Sequence, residues 1–540
     1  MNKKIDLNRR EFILKASMLS AAGSVSAPFA LNLFAMNVAA AAAQTSDYKA
    51  IVCLYLQGGN DHNNTVIATD GPSQIGYLAA RNTKTSESIA LIQTPTTGIN
   101  TTTSTLPIGN SSSGSLNTGR TFGLHPNLGR LKSLYDLGKV AIIANVGTLI
   151  EPIANKTQFR DKVTPKKHPG NLYSHSDQTT QWSATNPLNQ TYGWGGSMID
   201  QLAGSNGAAN FSCLSISGNS LFLAGQSTTQ YQIDANGSAT AISGFTNLFG
   251  ATSPLQKIIT SSAKSSANSN SLELDHAAVV LRAITAQGDL SKVMSATAPA
   301  SSTNNGTGAG TLVVDPAPTT VGNPGSYVNP VNNPTNTPST NRLATKLQTV
   351  ARIIAGRNIL GAMGTPVGTH RQVFFVQLDG FDTHNGQAIN HSELMASLAH
   401  GIEYFYKTLQ TLPGGDMSSN VTLFTTSDFG RTLASNTKGT DHGWGAHHFV
   451  VGGAVKGGQV YGAFPQTFIS TSTDVMNSGY NPLDLGSGNF LPQISVDQYA
   501  GTLAKWFGLS PGEIGNVFPN LANFTTTNNS NGYGADVGFL

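Results

Sequence analysis

Three short, nearly continuous apolar runs dominate the pattern of hydrophobic and polar positions: Tyr48–Gln57 (YKAIVCLYLQ), Arg371–Gly380 (RQVFFVQLDG) and Asn420–Gly430 (NVTLFTTSDFG). Each ends in a glycine-containing turn that carries aspartate, the pattern of a strand covered on both faces. Between the second and third runs, SELMASLAHGIEYFYKTLQTL keeps Leu394, Leu398, Ile402, Phe405 and Leu409 on one helical face, with Ser392 as its expected N-cap. This strand, helix, strand alternation predicts a largely parallel α/β sheet with right-handed crossovers. Ligands of such sheets sit beyond the carboxyl ends of the strands, where all three aspartate-bearing turns fall.

The same reading extends outward. His125–Gly147 reads as helix, turn at Gly138 and strand, with His125 as a helix-entry residue ahead of Pro126. A helix from Arg342 to about Leu360 places Leu343, Leu347, Val350 and Ile354 along one stripe. SVDQ from Ser495 and SPGE from Ser510 have capping-box spacing and predict two more helix starts. Two stretches lack such patterning. Thr94–Asn117 and the proline-containing region 298–341, rich in Ser, Thr, Asn and Gly, read as loops or flexible insertions.

The first residues are patterned for export. Lys3, Lys4, Arg9 and Arg10 precede a small, apolar stretch to Ala43, and NRREFILK from Asn8 fits a twin-arginine signal. Cleavage near Ala43 is expected, with the twin-arginine translocase as partner during export and a periplasmic or secreted destination. No other segment has the apolar length of a stable membrane span. With 540 residues, 39% of them hydrophobic and 11% charged, the mature part can bury a large core. A formal net charge of +3, partly due to the export segment, argues against nucleic acid as a partner. Two cysteines are too few for thiolate zinc or iron-sulfur sites. Cys53 reads as a small buried strand residue, with a bridge to Cys213 as the alternative.

The candidate chemistry lies in the turns. Asp61 stands in GGNDHNNT, where glycines let backbone approach a bound ion, although a turn or cap role also suits it. In DGFDTH, Asp382 and His384 share one side of an extended segment, while Asp379 is placed to orient an imidazole from behind. Asp428 ends the third run with Arg431 three residues on; the arginine suits an anionic substrate or a salt bridge. GTDHGWGAHH adds Asp441, His442, His447 and His448. Ser174 and Ser176, in NLYSHSDQ, are candidate nucleophiles if a cation lies close enough to stabilise an alkoxide. No GxGxxG motif follows a strand, which argues against a dinucleotide enzyme.

Taken together, GGNDHNNT, FGLHPNL, SHSDQ, GFDTH, SDFGRT and GTDHGWGAHH followed by VGGAVKGGQVYG resemble the bacterial family called domain of unknown function 1501. That family is similar in fold to the alkaline phosphatase and sulfatase superfamily. The resemblance implies a three-layer α/β sandwich with helices on both faces of a largely parallel sheet, spanning residues 44–540. It also implies one or two divalent cations, zinc, manganese, magnesium or calcium. Asp61, Asp382, His384, Asp428 and His442 or His447 match the metal positions. Phe429 departs from the superfamily pattern, in which histidine often follows the aspartate. The implied activity is hydrolysis of a phosphate or sulfate ester, small or polymer-linked, with Ser174, Ser176 or a metal-bound water attacking and Arg431 or a histidine stabilising charge. The rival expectation is a non-catalytic exported protein that retains a structural or vestigial metal site and binds a surface polymer or a protein partner.

Overall fold

The computed structural model describes residues 48–81, 88–91, 105–109, 116–206, 211–235, 237, 286–294, 297, 341–357, 369–412, 415–474, 476, 479–527 and 532–540. The export segment and residues 298–340 of the expected insertion lie outside them. A nine-stranded sheet organises the chain. At its centre β1 (Lys49–Leu56) pairs in parallel with β8 (Arg371–Leu378) and β9 (Val421–Ser427). Outside β8 lie β6 (Cys213–Ser215) and β7 (Tyr231–Gln232), also parallel. Outside β9 comes β12 (Ala446–Val451), antiparallel to its neighbours, and then β5 (Val140–Gly147). On β5, β13 (Gln459–Tyr461) and β14 (Ile494–Ser495) pair in parallel. The expected mostly parallel α/β sheet is therefore present, with β12 running against the rest.

Alternation along β1 divides the core. Ala50, Val52, Leu54 and Leu56 belong to one apolar cluster, with Leu347 and Val350 of one helix and Leu398 and Ile402 of another. Ile51, Cys53 and Tyr55 belong to a second, with Trp182, Trp194, Tyr499 and Leu503. Helices therefore cover both faces, which is why the central strands are buried at nearly every position. In chain order the helices are α1 (Gly71–Arg81), α2 (Gly129–Asp136), α3 (Lys156–Phe159), α4 (His175–Ser183), α5 (Trp194–Gln201), α6 (Arg342–Ala355), α7 (Gln387–Gln410), α8 (Val496–Phe507) and α9 (Pro511–Val517). Among the described residues no helix is long and apolar enough to cross a membrane.

Local signals explain several boundaries. Ser495 and Ser510 both form reciprocal capping boxes, with Gln498 and Glu513. His125 accepts the Asn127 amide proton at the entry to a short 3-10 turn. Gly138 takes φ 70 between α2 and β5, the left-handed turn that glycine allows. Other expectations need correction. Helix α7 begins at Gln387 behind a left-handed Gly386, and Ser392 lies inside it, donating to the Ala388 carbonyl. Within Thr94–Asn117, β3 (Leu106–Ile108) pairs with β4 (Phe122–Leu124), which also pairs with β2 (Val66–Ala68). Asn117 there is buried and donates to the Gly462 carbonyl. At the end of the expected insertion, Asn341 caps α6. Cys53 and Cys213 are free and buried, and burial pushes the Cys53 thiol up to about 12.

Register aligns the functional turns. Leu56 lies opposite both Leu378 and Ser427, so the turns after β1, β8 and β9 leave the sheet at one edge. Gly58 sets their spacing. It has φ +113, and a Cβ there would meet the Asp382 amide nitrogen and lie 2.9 Å from the Phe381 carbonyl carbon. We expect Gly58→Ala to cost about 1–3 kcal/mol through overpacking, read as a lower urea midpoint. Stability equal to the parent would contradict this close backbone approach.

Candidate functional site

The three turns are tied together by one buried cation. Arg431 starts the hairpin of β10 (Arg431–Ser435) and β11 (Thr440–His442) and has a side chain 0% exposed. Its Nε donates to the Gly59 carbonyl at 2.8 Å, and Nη2 to the Gly58 carbonyl at 2.7 Å. Nη1 donates to the Thr440 carbonyl at 2.6 Å, and Nη2 also reaches Asp382 Oδ1. A guanidinium removed from water must satisfy its donors this way. Arg431 thus positions the turns, its donors bonded to acceptors within the protein. Partial burial alone would raise the Asp382 carboxyl, but Arg431, aided by His384 and His175, holds it below the ordinary value.

Three imidazoles face that carboxylate. His175 Nε2 lies 3.6 Å from Asp382 Oδ2, and the Nε2 atoms of His384 and His442 lie 3.1 and 3.4 Å from Oδ1. Each histidine meets an oxygen acceptor at its other nitrogen. His175 Nδ1 is 2.6 Å from Asp428 Oδ2, His442 Nδ1 is 2.8 Å from the Tyr173 carbonyl, and His384 Nδ1 is 3.3 Å from Asp441 Oδ1. An imidazole that donates from Nδ1 to such an acceptor keeps its Nε2 lone pair for the common centre. One ligand atom each from His175, Asp382 and His442 falls within 4.8 Å of the others. The Nε2 atoms of His384 and His442 are only 2.9 Å apart. Two lone pairs at that distance repel unless a cation or a shared proton lies between them.

The surroundings hold these rings in place. Tyr173 has φ 71, a costly conformation for a bulky residue, and its carbonyl is the acceptor for His442 Nδ1. The fully buried Phe429 packs its ring 4.8 Å from His175 and 4.4 Å from His442, between centroids. Phe429 thereby forms an aromatic wall against both rings. Burial, reinforced by Arg431 and His175, lowers the His442 pKa despite the opposing Tyr173 carbonyl and Asp382. Behind His175, the second Asp428 oxygen accepts from Tyr55 Oη at 2.5 Å and the Gly58 amide at 3.0 Å. Burial and the Asp428 charge raise the Tyr55 phenol well above its usual value, so Tyr55 acts as a neutral donor.

The structure sorts the expected ligands. It brings together Asp382, His384 and His442, and gives Asp428 an orienting role, because both Asp428 oxygens are already engaged. Asp61 belongs to a different assembly. It is 0% exposed and forms an ion pair with Arg81 at 2.5 Å, with Gln387 as a further donor. His447 is buried too, accepting the Asn145 amide proton at 3.0 Å with its ring 4.2 Å from Phe464. Neither Asp61 nor His447 is presented to the centre, since each is committed to the interior. Ser174 caps α4 and shares a 2.5 Å hydrogen bond with Asp177; Ser176 lies 3.3 Å from Ser174. Both serines are engaged at a helix start, with their hydroxyls bonded to each other and to Asp177. Asp379 accepts from Gln377 at 2.5 Å, and Asp441 meets an imidazole in its place.

His175 is the functional residue that sequence reasoning passed over in favour of its serine neighbours, and Tyr55 was hidden in an apolar strand. SHSDQ was the available signal for the first; nothing local marks the second. Fold and site together define an α/β protein with a histidine-carboxylate centre at the carboxyl edge of its sheet. Residues 48–510 match the family described as Protein of unknown function (DUF1501), and the chain belongs to that family. No curated protein matches it.

Asp61 offers a test of this sorting. Burial alone would raise its carboxyl, but Arg81 outweighs that and holds it at about 2 against an ordinary 3.8. The unfolded chain therefore binds the proton first as pH falls, so the stabilisation is complete above 3.8 and is lost on acidification towards about 2. Asp61→Ala strands the Arg81 charge and should cost about 3–5 kcal/mol, with its destabilisation shrinking across that acid window. A mild, pH-independent effect in chemical denaturation would refute the assignment.

Proposed function

We propose that this chain is an exported metal-dependent hydrolase of phosphate or sulfate esters with an alkaline-phosphatase-like arrangement. The observation that carries the reading is the convergence of three Nε2 atoms on Asp382, with each Nδ1 facing an oxygen acceptor. Nitrogen and oxygen donors without sulfur fit zinc or manganese better than calcium or magnesium, which favour all-oxygen shells. His175, His384, His442 and Asp382 would hold one cation. Such a cation supplies Lewis acidity towards an ester oxygen.

The residues around the centre define the remaining roles. Asp428, steadied by Tyr55 and the Gly58 amide, fixes the ring plane and tautomer of His175. Arg431 fixes Asp382, and the Tyr173 carbonyl fixes His442. With Ser174 and Ser176 engaged at the α4 cap, the attacking oxygen comes from solvent. Access supports turnover over a purely structural ion: the side chains of His175, His384 and Asp382 are 40, 43 and 48% exposed, whereas structural sites are closed. The non-catalytic alternative draws on the same engagement of Ser174, Ser176 and Arg431.

Metal titration of the purified mature chain, followed by assays on aryl phosphates and aryl sulfates, tests the reading. We expect one tight zinc or manganese ion per chain and turnover that follows its occupancy. His442→Ala should abolish both, and Tyr55→Phe should weaken metal affinity by about 10–100-fold. Metal binding without turnover on either ester class would favour the non-catalytic alternative. Failure to bind either ion would remove the basis of both.

A further inference from the structure

The loop that delivers Tyr173 to the centre is also unusually basic. From Glu151 to His168 the chain carries Lys156, Arg160, Lys162, Lys166 and Lys167 against only Glu151 and Asp161. This stretch alone has the net charge of +3 that the whole chain has. Its two carboxylates are already engaged. Asp161 accepts from the Val163 and Thr164 amides and the Thr164 hydroxyl. Glu151 takes the Lys166 ammonium at 3.1 Å and the Lys167 amide at 2.7 Å. Lys162 and Lys167 are both exposed, and Lys167 shares the Glu151 charge with Lys166.

A cavity of ≈ 520 Å³ adjoins this stretch, lined by Lys156, Arg160, Ser470, Ser472, Asp484 and Gly486. Lys156 is 5% exposed, and its ammonium donates to Ser470 Oγ at 2.5 Å and to the Ser472 carbonyl at 3.3 Å. Asp484 lines the same cavity and its charge acts on Lys156, while its oxygens accept from the amides of Ser470, Gly486 and Gly488, so it offsets part of the positive charge there. One wall of the cavity shares packing with the support of the centre. Leu485 clusters with Leu172, Tyr173 and Trp444, and Asn489 donates to Tyr173 Oη at 2.9 Å.

We propose that the basic stretch and its hydroxyl-lined cavity form a recognition surface for a polyanionic glycan, one bearing sulfate or phosphate esters along its chain. The proposal rests on the ester-hydrolase reading for the centre and names its substrate class. Cations on a mobile anion's path raise its local concentration, and several weak charge contacts suit a repeating ligand. Nucleic acid fits less well because the aromatic rings nearby are occupied. Tyr480 lies 4.4 Å from the Lys156 ammonium, and Phe159 and His168 pack on each other and on Trp444. Among the described residues of this stretch, these rings are therefore already packed rather than offered for base stacking.

The test uses the full mature chain, with dextran sulfate as probe and uncharged dextran and duplex DNA as competitors. We expect dextran sulfate to bind, with affinity falling at least about tenfold between about 50 and about 200 mM salt, as charge contacts do. Replacing Lys162, Lys166 and Lys167 together by alanine should weaken binding about tenfold or more with an unchanged thermal midpoint. An equal-charge control, Lys132→Ala, Lys407→Ala and Lys505→Ala, should bind like the parent. Equal losses in both triple variants, or tighter binding of DNA than of dextran sulfate, would overturn the proposal. His175→Ala should retain glycan binding, so failure of the metal reading and failure of this surface are separable.

Discussion

A single buried guanidinium governs the carboxyl edge of this sheet. Arg431 has a side chain 0% exposed, and its charge is tolerated only because three backbone carbonyls and Asp382 answer its donors. Those carbonyls belong to the turn after β1 and to β11, while Asp382 belongs to the turn after β8. Satisfying one side chain therefore fixes two turns and a hairpin relative to each other. The Asp382 carboxylate is left half-exposed at the point where the imidazoles meet.

Around it, each histidine is controlled from its far side. Asp428 holds His175, the Tyr173 carbonyl holds His442, and Asp441 faces His384. The acceptors differ in kind, but all leave Nε2 facing the centre. Phe429 completes the arrangement by pressing on two of the rings, which limits their motion. The basic loop before Tyr173 joins this support to the surface, since the same backbone that positions His442 also carries the lysines.

The paired carboxylates Asp61 and Asp428 show how far a motif can be read. Both follow a buried parallel strand and both are almost wholly buried. Asp61 meets Arg81 and becomes part of the scaffold; Asp428 meets Tyr55 and His175 and becomes part of the site. Nothing in GGNDHNNT distinguishes the first outcome from the second. Arg81 lies twenty residues downstream on α1, within a helix whose pattern carries no chemical signature.

The amino-acid sequence by itself determined the mostly parallel α/β sheet, the strands that end in aspartate turns, the α8 and α9 capping boxes and the placing of Asp382 beside His384. These follow from side-chain periodicity and contacts within a few residues, which act on the backbone before distant partners arrive. Tertiary structure alone decided which carboxylate oxygens were already spent, which imidazole nitrogen faced inward, and that His175 rather than Ser174 or Ser176 entered the centre. The physical reason is that hydrogen-bond capacity is finite and is consumed across space. Asp428 and His175 stand 253 residues apart, yet meet at 2.6 Å.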